Sequence, residues 1–210
     1  MPDAVIPIDG FSVVGNLVVP GHSTGIVVFV HGSGSSRFSP RNQFVASVLQ
    51  SAGFATLLFD LLRPAEARQQ ENVFDIELLI DRLRHVLGWL RLYPGLKTMP
   101  IGLFGASTGA AAALGVAADP GSPVSAVVSR GGRPDLALQR LPLVQAPTLL
   151  IVGSEDRVVL DLNERAAKAL LALHEIRVIS GATHLFEEPG ALEQVAAAAT
   201  TWFEVHLGAA

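Results

Sequence analysis

The chain has 210 residues, half of them hydrophobic and only 16% charged, with a formal charge of −4. That balance builds one compact core-bearing domain over residues 1–210 and excludes a disordered, solvating chain. The 15 Lys and Arg are scattered, which leaves no basic face for nucleic acid, and the absence of cysteine removes disulfides, thiolate metal sites and a cysteine nucleophile together.

The N-terminus, Met1-Pro2-Asp3-Ala4, lacks the basic and apolar regions of a secretory leader. Apolar runs such as Gly25 to Val30 and Ala110 to Ala118 are too short to span a bilayer. A soluble, cytoplasmic protein is the expectation, with no membrane partner.

Along the chain, short β-branched runs alternate with longer segments of helical period, the pattern of an α/β domain with a mainly parallel sheet. The predicted strands are Ala4–Ile8, Ser12–Val19, Gly25–His31, Ala55–Asp60, Pro100–Phe104, Val124–Ser129, Thr148–Val152 and Glu175–Ser180. Asp9-Gly10 between the first two is a hairpin signal, so they form an antiparallel edge. The run Ile26-Val27-Val28-Phe29-Val30 is apolar without alternation, as in a strand covered on both faces. The predicted helices are Pro40–Ala52, Val73–Tyr93, Ser107–Ala118, Leu160–Leu173 and Pro189–Leu207, with Asn72 as a cap for the second and Pro189 in the first turn of the last.

Three strand ends carry chemistry. The fifth strand runs into Gly105-Ala106-Ser107-Thr108-Gly109 and then an alanine-rich helix. A serine in that strand–turn–helix context sits on a tight turn with its hydroxyl exposed above the sheet. The seventh strand runs into Gly153-Ser154-Glu155-Asp156, and the eighth into Gly181-Ala182-Thr183-His184. A histidine near its ordinary pKa takes the serine proton and returns it to the leaving group, while a carboxylate fixes its tautomer. Of the six histidines, His22 falls in a Pro-Gly turn and His85, His174 and His206 in or beside helices, and only His184 stands at the expected late strand end, which makes it the candidate base. Glu155 and Asp156 are adjacent rivals for the acid.

The third strand ends in His31-Gly32-Ser33-Gly34-Ser35-Ser36. Acyl transfer needs two backbone N–H groups aimed at a developing oxyanion; Ser33 and Thr108 are the expected donors, with His31 a structural tie of the loop. The same Gly-rich stretch could open a dinucleotide-binding unit, but the third glycine of that motif would fall on Arg37.

Together, the His31-Gly32 loop, Gly105 to Gly109, Asp156 and His184 resemble the α/β-hydrolase superfamily over essentially the whole chain, and within it the dienelactone-hydrolase-like and small carboxylesterase branch. The resemblance implies an eight-stranded, mostly parallel sheet with helices on both faces, hydrolysis of a small-molecule ester or related acyl compound, and no cofactor or metal. The spacing of Asp156 before Val158-Val159 matches the turn of that family and favours Asp156 over Glu155. Dienelactone hydrolases use a cysteine where this chain has Ser107, so lactone specificity does not carry over; thioesters, lactones or a non-catalytic scaffold are the alternatives.

Only Arg130 to Pro147 separates the sixth and seventh strands, which is too short for a helical cap. Leu61 to Glu71, mostly polar after Pro64, offers little apolar surface. An open pocket for short acyl esters is therefore expected. Arg133 and Arg37 are candidate substrate contacts, although an Arg133–Asp135 pair competes with that role.

Overall fold

The structure, a computed structural model, describes residues 3–208. Met1 and Pro2, part of the N-terminus considered above for a leader, lie outside the described residues. The strands are β1 (Ala4–Ile8), β2 (Phe11–Val18), β3 (Ile26–Val30), β4 (Ala55–Phe59), β5 (Ile101–Ala106), β6 (Val124–Arg130), β7 (Thr148–Gly153) and β8 (His174–Ile179). They form one sheet in the order β1-β2-β4-β3-β5-β6-β7-β8. β1 pairs antiparallel with β2, and β2 antiparallel with β4. Every other pairing is parallel. The Asp9-Gly10 turn closes the edge hairpin as expected, with Gly10 at a φ of 77°.

β3, β4, β5 and β7 are buried at every residue, which is why their sequences do not alternate. Helices α1 (Pro40–Ser51) and α6 (Ala191–Leu207) cover one face, where Phe29, Phe54, Phe104 and Phe203 pack in one core. Helices α3 (Ile76–Leu92), α4 (Thr108–Ala117) and α5 (Arg157–Ala169) cover the other, around Leu57, Leu83, Leu103 and Leu150. All ten residues of α4 are buried, and its run of alanine and glycine lets it lie close against the sheet and its neighbours. No helix among the described residues is long and apolar enough to cross a membrane.

The helix expected over Val73–Tyr93 is two helices: a short α2 (Gln70–Phe74) and then α3. Asn72 does not cap α3; its amide donates to Glu66 O and Gln69 Oε1. Asp75 is the cap, and its carboxylate accepts the Leu78 N–H at 3.0 Å. Pro189 lies just before α6 rather than in its first turn, because Gly190 in a left-handed conformation precedes the helix. The helix expected from Leu160 starts three residues earlier, at Arg157, directly after Asp156. Between β6 and β7 runs one kinked 3-10 segment, Pro134–Leu143, packed on α4 and α5. No cap domain is inserted there.

Candidate active site

Ser107 is held at φ 50°, ψ −124°, a backbone state that L-residues avoid and that costs about 1–3 kcal/mol. The turn is possible because its neighbours lack side chains. A Cβ at Gly109 would fall 2.1 Å from Val30 O, and one at Gly32 would fall 2.7 Å from Ser107 Cβ. Strand β3, the loop after it and the start of α4 therefore close around the serine. The Ser107 N–H donates to Arg130 O at 3.3 Å, and Ser107 O accepts from the Arg133 N–H at 3.0 Å, so the end of β6 also grips the turn.

Asp156 and His184, the expected acid and base, meet across two further loops. His184 Nδ1 lies 2.6 Å from Asp156 Oδ2. Asp156 occupies the position before α5 where an aspartate would ordinarily cap the helix, yet its side chain makes no capping bond; its carboxylate is turned to the histidine instead. Glu155 is exposed, and its carboxylate accepts from the Ser154 hydroxyl at 3.2 Å. Between the two rivals, the histidine contact falls to Asp156. The Asp156 side chain is 15% exposed and that of His184 40% exposed, which shields the carboxylate while leaving the imidazole accessible. Gly131, next to the Arg130 carbonyl that holds Ser107, lies against the imidazole: a Cβ there would be 3.4 Å from His184 Nδ1. Serine turn and histidine thus flank the same short piece of β6.

The loop after β3 folds over the serine turn. Ser35 N–H donates back to Gly32 O at 3.2 Å. Ser33 N–H, expected to face an oxyanion, donates to Thr108 Oγ1 at 3.0 Å. The sequence reading invoked only the backbone of Thr108; its buried hydroxyl is what ties this loop to the nucleophile turn. His31 is a structural tie. The Leu61 N–H donates to its Nε2 at 3.1 Å, so Nδ1 carries the proton toward Gly32 O at 3.0 Å. Burial lowers its pKa from the ordinary imidazole value, against the opposing pull of Gly32 O and Asp60, so the ring is neutral.

Neither candidate substrate arginine points a free charge at the serine. Arg37 pairs with Asp60 at 2.5 Å, donates from its backbone N–H to the same carboxylate and reaches Asn16 through Nε. Arg133 is held by Asp135 through two bonds of 2.8 Å. His85, His174 and His206 contact Asp81 O, Ala172 O and the Trp202 ring, away from this site.

Three residues escaped the sequence reading. Phe186, two after the histidine, has a φ of 56° and is 1% exposed; a buried aromatic in a left-handed turn has no sequence signature. Asn163 on α5 is fully buried and donates to Gly132 O at 3.0 Å, holding the loop after β6. Arg130 is 8% exposed, and its Nε and Nη1 find no partner among the described residues. Desolvation, reinforced by the nearby Arg41, pushes its pKa down to about 10.

An apolar cavity of about 360 Å³ opens beside the serine turn. Gly32, Ser33 and Thr108 form its inner end, and Phe38, Leu61, Leu62, Ala67, Val73 and Leu79 are among its walls. This overturns the premise that the segment after β4 offers little apolar surface. Leu61 and Leu62 are buried against the cavity, while Glu66 is held by Arg63 and Arg82.

The sequence profile of the dienelactone hydrolase family matches residues 13–207. A dienelactone hydrolase from Anabaena variabilis is 50% identical, with a TM-score of 0.95 over 98% of this chain and 97% of its own. An esterase from Pyrococcus furiosus shares the fold, with a TM-score of 0.76 at 17% identity over 99% of this chain and 91% of its own. A protein of Mycobacterium tuberculosis (strain H37Rv), provisionally named as a phosphoribosyl transferase, is 62% identical over 195 residues. That match covers 93% of this chain and only 44% of the mycobacterial protein. On the profile, the 50% identical structure and the shared sheet order, the chain belongs to the dienelactone hydrolase family.

Proposed function

We propose that this chain is a serine hydrolase of carboxylic esters, working through an acyl-enzyme on Ser107, His184 and Asp156. The observation that carries the reading is the 2.6 Å His184–Asp156 pair set beside the strained Ser107 turn. With Nδ1–H donated to the carboxylate, His184 Nε2 is left as the acceptor for the serine proton. Ser107 Oγ attacks the ester carbonyl as Nε2 takes that proton, and the carbonyl electrons move onto oxygen. We assign that oxyanion to the Thr108 N–H at the start of α4; the Ser33 N–H, the second donor expected from sequence, is engaged by Thr108 Oγ1 in this structure. Collapse of the intermediate expels the alkoxide, which receives the proton from His184. Water, activated by the same imidazole, then cleaves the acyl-enzyme to acid and free serine.

Thioesters and lactones present the same carbonyl to the same groups and are the neighbouring substrate classes. The transferase name of the mycobacterial relative describes a protein of which this chain spans less than half, and it does not bear on this site. Aryl ester turnover by the purified chain, assayed beside Ser107→Ala, is the direct test. The variant is expected to keep the fold and lose turnover by several orders of magnitude, down to the residual level that binding and oxyanion donors alone provide. Wild-type rates in Ser107→Ala would remove the serine from the mechanism.

A further inference from the structure

The cavity beside the serine turn has no role in bond making, and its shape and chemistry name a substrate. Its inner end is built from Gly32, Ser33 and Thr108, the residues packed on the nucleophile turn. Leu61, Leu62, Pro64, Ala67 and Val73 line the rest of it, with Leu79 of α3 as another wall. An acyl group attached to Ser107 with its oxygen toward Thr108 has this cavity directly next to its carbonyl. At about 360 Å³ the volume lies within the range of small-molecule sites and exceeds what an acetyl group fills.

The walls also set the charge of what enters. No Lys or Arg is among the lining residues, and Asp60 is the lining carboxylate, held by Arg37. His31, at the inner end, is neutral with both ring nitrogens engaged. A carboxylate brought into this space would meet Asp60 and apolar carbon, with no cation to receive it, and would lose its hydration. The walls are anchored rather than loose. Glu66 ties the segment after β4 to Arg82 of α3 at 3.0 Å, and Arg63 and Arg82 lie over the Phe11 ring. Burial would raise the Glu66 carboxyl, but the hydrogen bonds and charges of Arg63 and Arg82 outweigh it and hold the group below the usual carboxylate range.

We infer that this cavity is the acyl site, and that the preferred substrates are esters of uncharged acids longer than four carbons. The inference rests on the hydrolase reading above and reverses the short-acyl expectation drawn from sequence. Each methylene taken from water into apolar surroundings raises kcat/KM by up to about fourfold until the space is full.

The test is a series of nitrophenyl esters from acetate to decanoate, run on wild type, Ala67→Trp and Val73→Phe. Both positions are at least partly exposed, so the bulkier side chains enter the cavity without displacing core. In wild type, kcat/KM should climb beyond butyrate and then fall. In either variant the hexanoate-to-acetate ratio should drop at least tenfold. The aryl half-ester of adipate should be turned over far more slowly than the hexanoate. An optimum at acetate or propionate, or an unchanged ratio in both variants, overturns the acyl site while Ser107-dependent turnover keeps the hydrolase reading. Absence of any Ser107-dependent turnover overturns the hydrolase reading instead. The cavity is then judged by calorimetric titration of 1-hexanol against ethanol: tighter binding of hexanol, lost in Ala67→Trp, supports it, and equal binding overturns it.

Discussion

At the scale of single residues, the site is decided by which side chain each strand end presents. Glu155 and Asp156 are neighbours in sequence, but the backbone turns Glu155 outward to Ser154 and Asp156 toward His184. Asp156→Asn is therefore expected to lower kcat by about 10⁴ while Glu155→Gln changes it little, because only the acid bonded to Nδ1 fixes the tautomer that leaves Nε2 free. Parallel kinetics on the two variants decide it, and the reverse order would reassign the acid. Arg130 poses a different question. The residue is 8% exposed, its guanidinium is near Arg41, which is itself paired with Glu187, and among the described residues no acid pairs with Arg130. A buried charge without a partner is a cost, and replacing such a group by an apolar one of similar length is often neutral or stabilising by up to about 4 kcal/mol. Arg130→Met should hold or raise the thermal midpoint; a clear fall would mean that the guanidinium is held by bonds the side chain does not display. The backbone carbonyl that receives the Ser107 N–H is unaffected by the change.

At the scale of elements, the proposed catalysis depends on loops that leave parallel strands at one edge of the sheet. The loop after β8 is the least supported by local sequence. Thr183 to Phe186 forms a turn closed by the Phe186 N–H donating to Thr183 O at 3.3 Å, and Phe186 enters the core under α1 and α6 in spite of its positive φ. The ring and the imidazole both lie within 3.4 Å of where a Cβ on Gly131 would sit, so the buried ring anchors the turn that carries His184. Phe186→Ala should cost about 3–5 kcal/mol, as for other large-to-small core changes, and should lower kcat more than it alters KM, measured well below the midpoint of unfolding. Phe186→Leu should recover much of both. Unchanged kcat in a destabilised Phe186→Ala protein would make the residue structural only. The same scale explains the helix that the periodicity misplaced. Phe74, Leu78, Leu83, Val86 and Leu90 keep helical spacing across Asp75, so hydrophobic pattern alone runs α2 and α3 together. The break follows from Asp75 capping α3 while Asn72 is engaged by the turn before it.

Across the whole molecule, the eight-stranded and mostly parallel sheet, the antiparallel edge hairpin, both helical layers and the strand ends that carry Ser107, Asp156 and His184 were legible in the amino-acid sequence, while the strand order was not. Each has a local cause: unalternating apolar runs for buried strands, Asp9-Gly10 for the hairpin, and small residues at 105 and 109 around a serine for the strained turn. Two things were decided only by tertiary structure, and a third, the preference for Asp156 over Glu155 that the family spacing already suggested, gains its His184 contact there. The tie between the Ser33 N–H and the Thr108 hydroxyl joins groups 75 residues apart. The cavity we assign to the acyl group arises because the segment after β4, α2 and α3 bring Leu61, Val73 and Leu79 to the same side of the β3 loop. A sequence records which side chains are apolar; which of them face one another across a gap is set by packing between distant segments, and no local pattern carries that information.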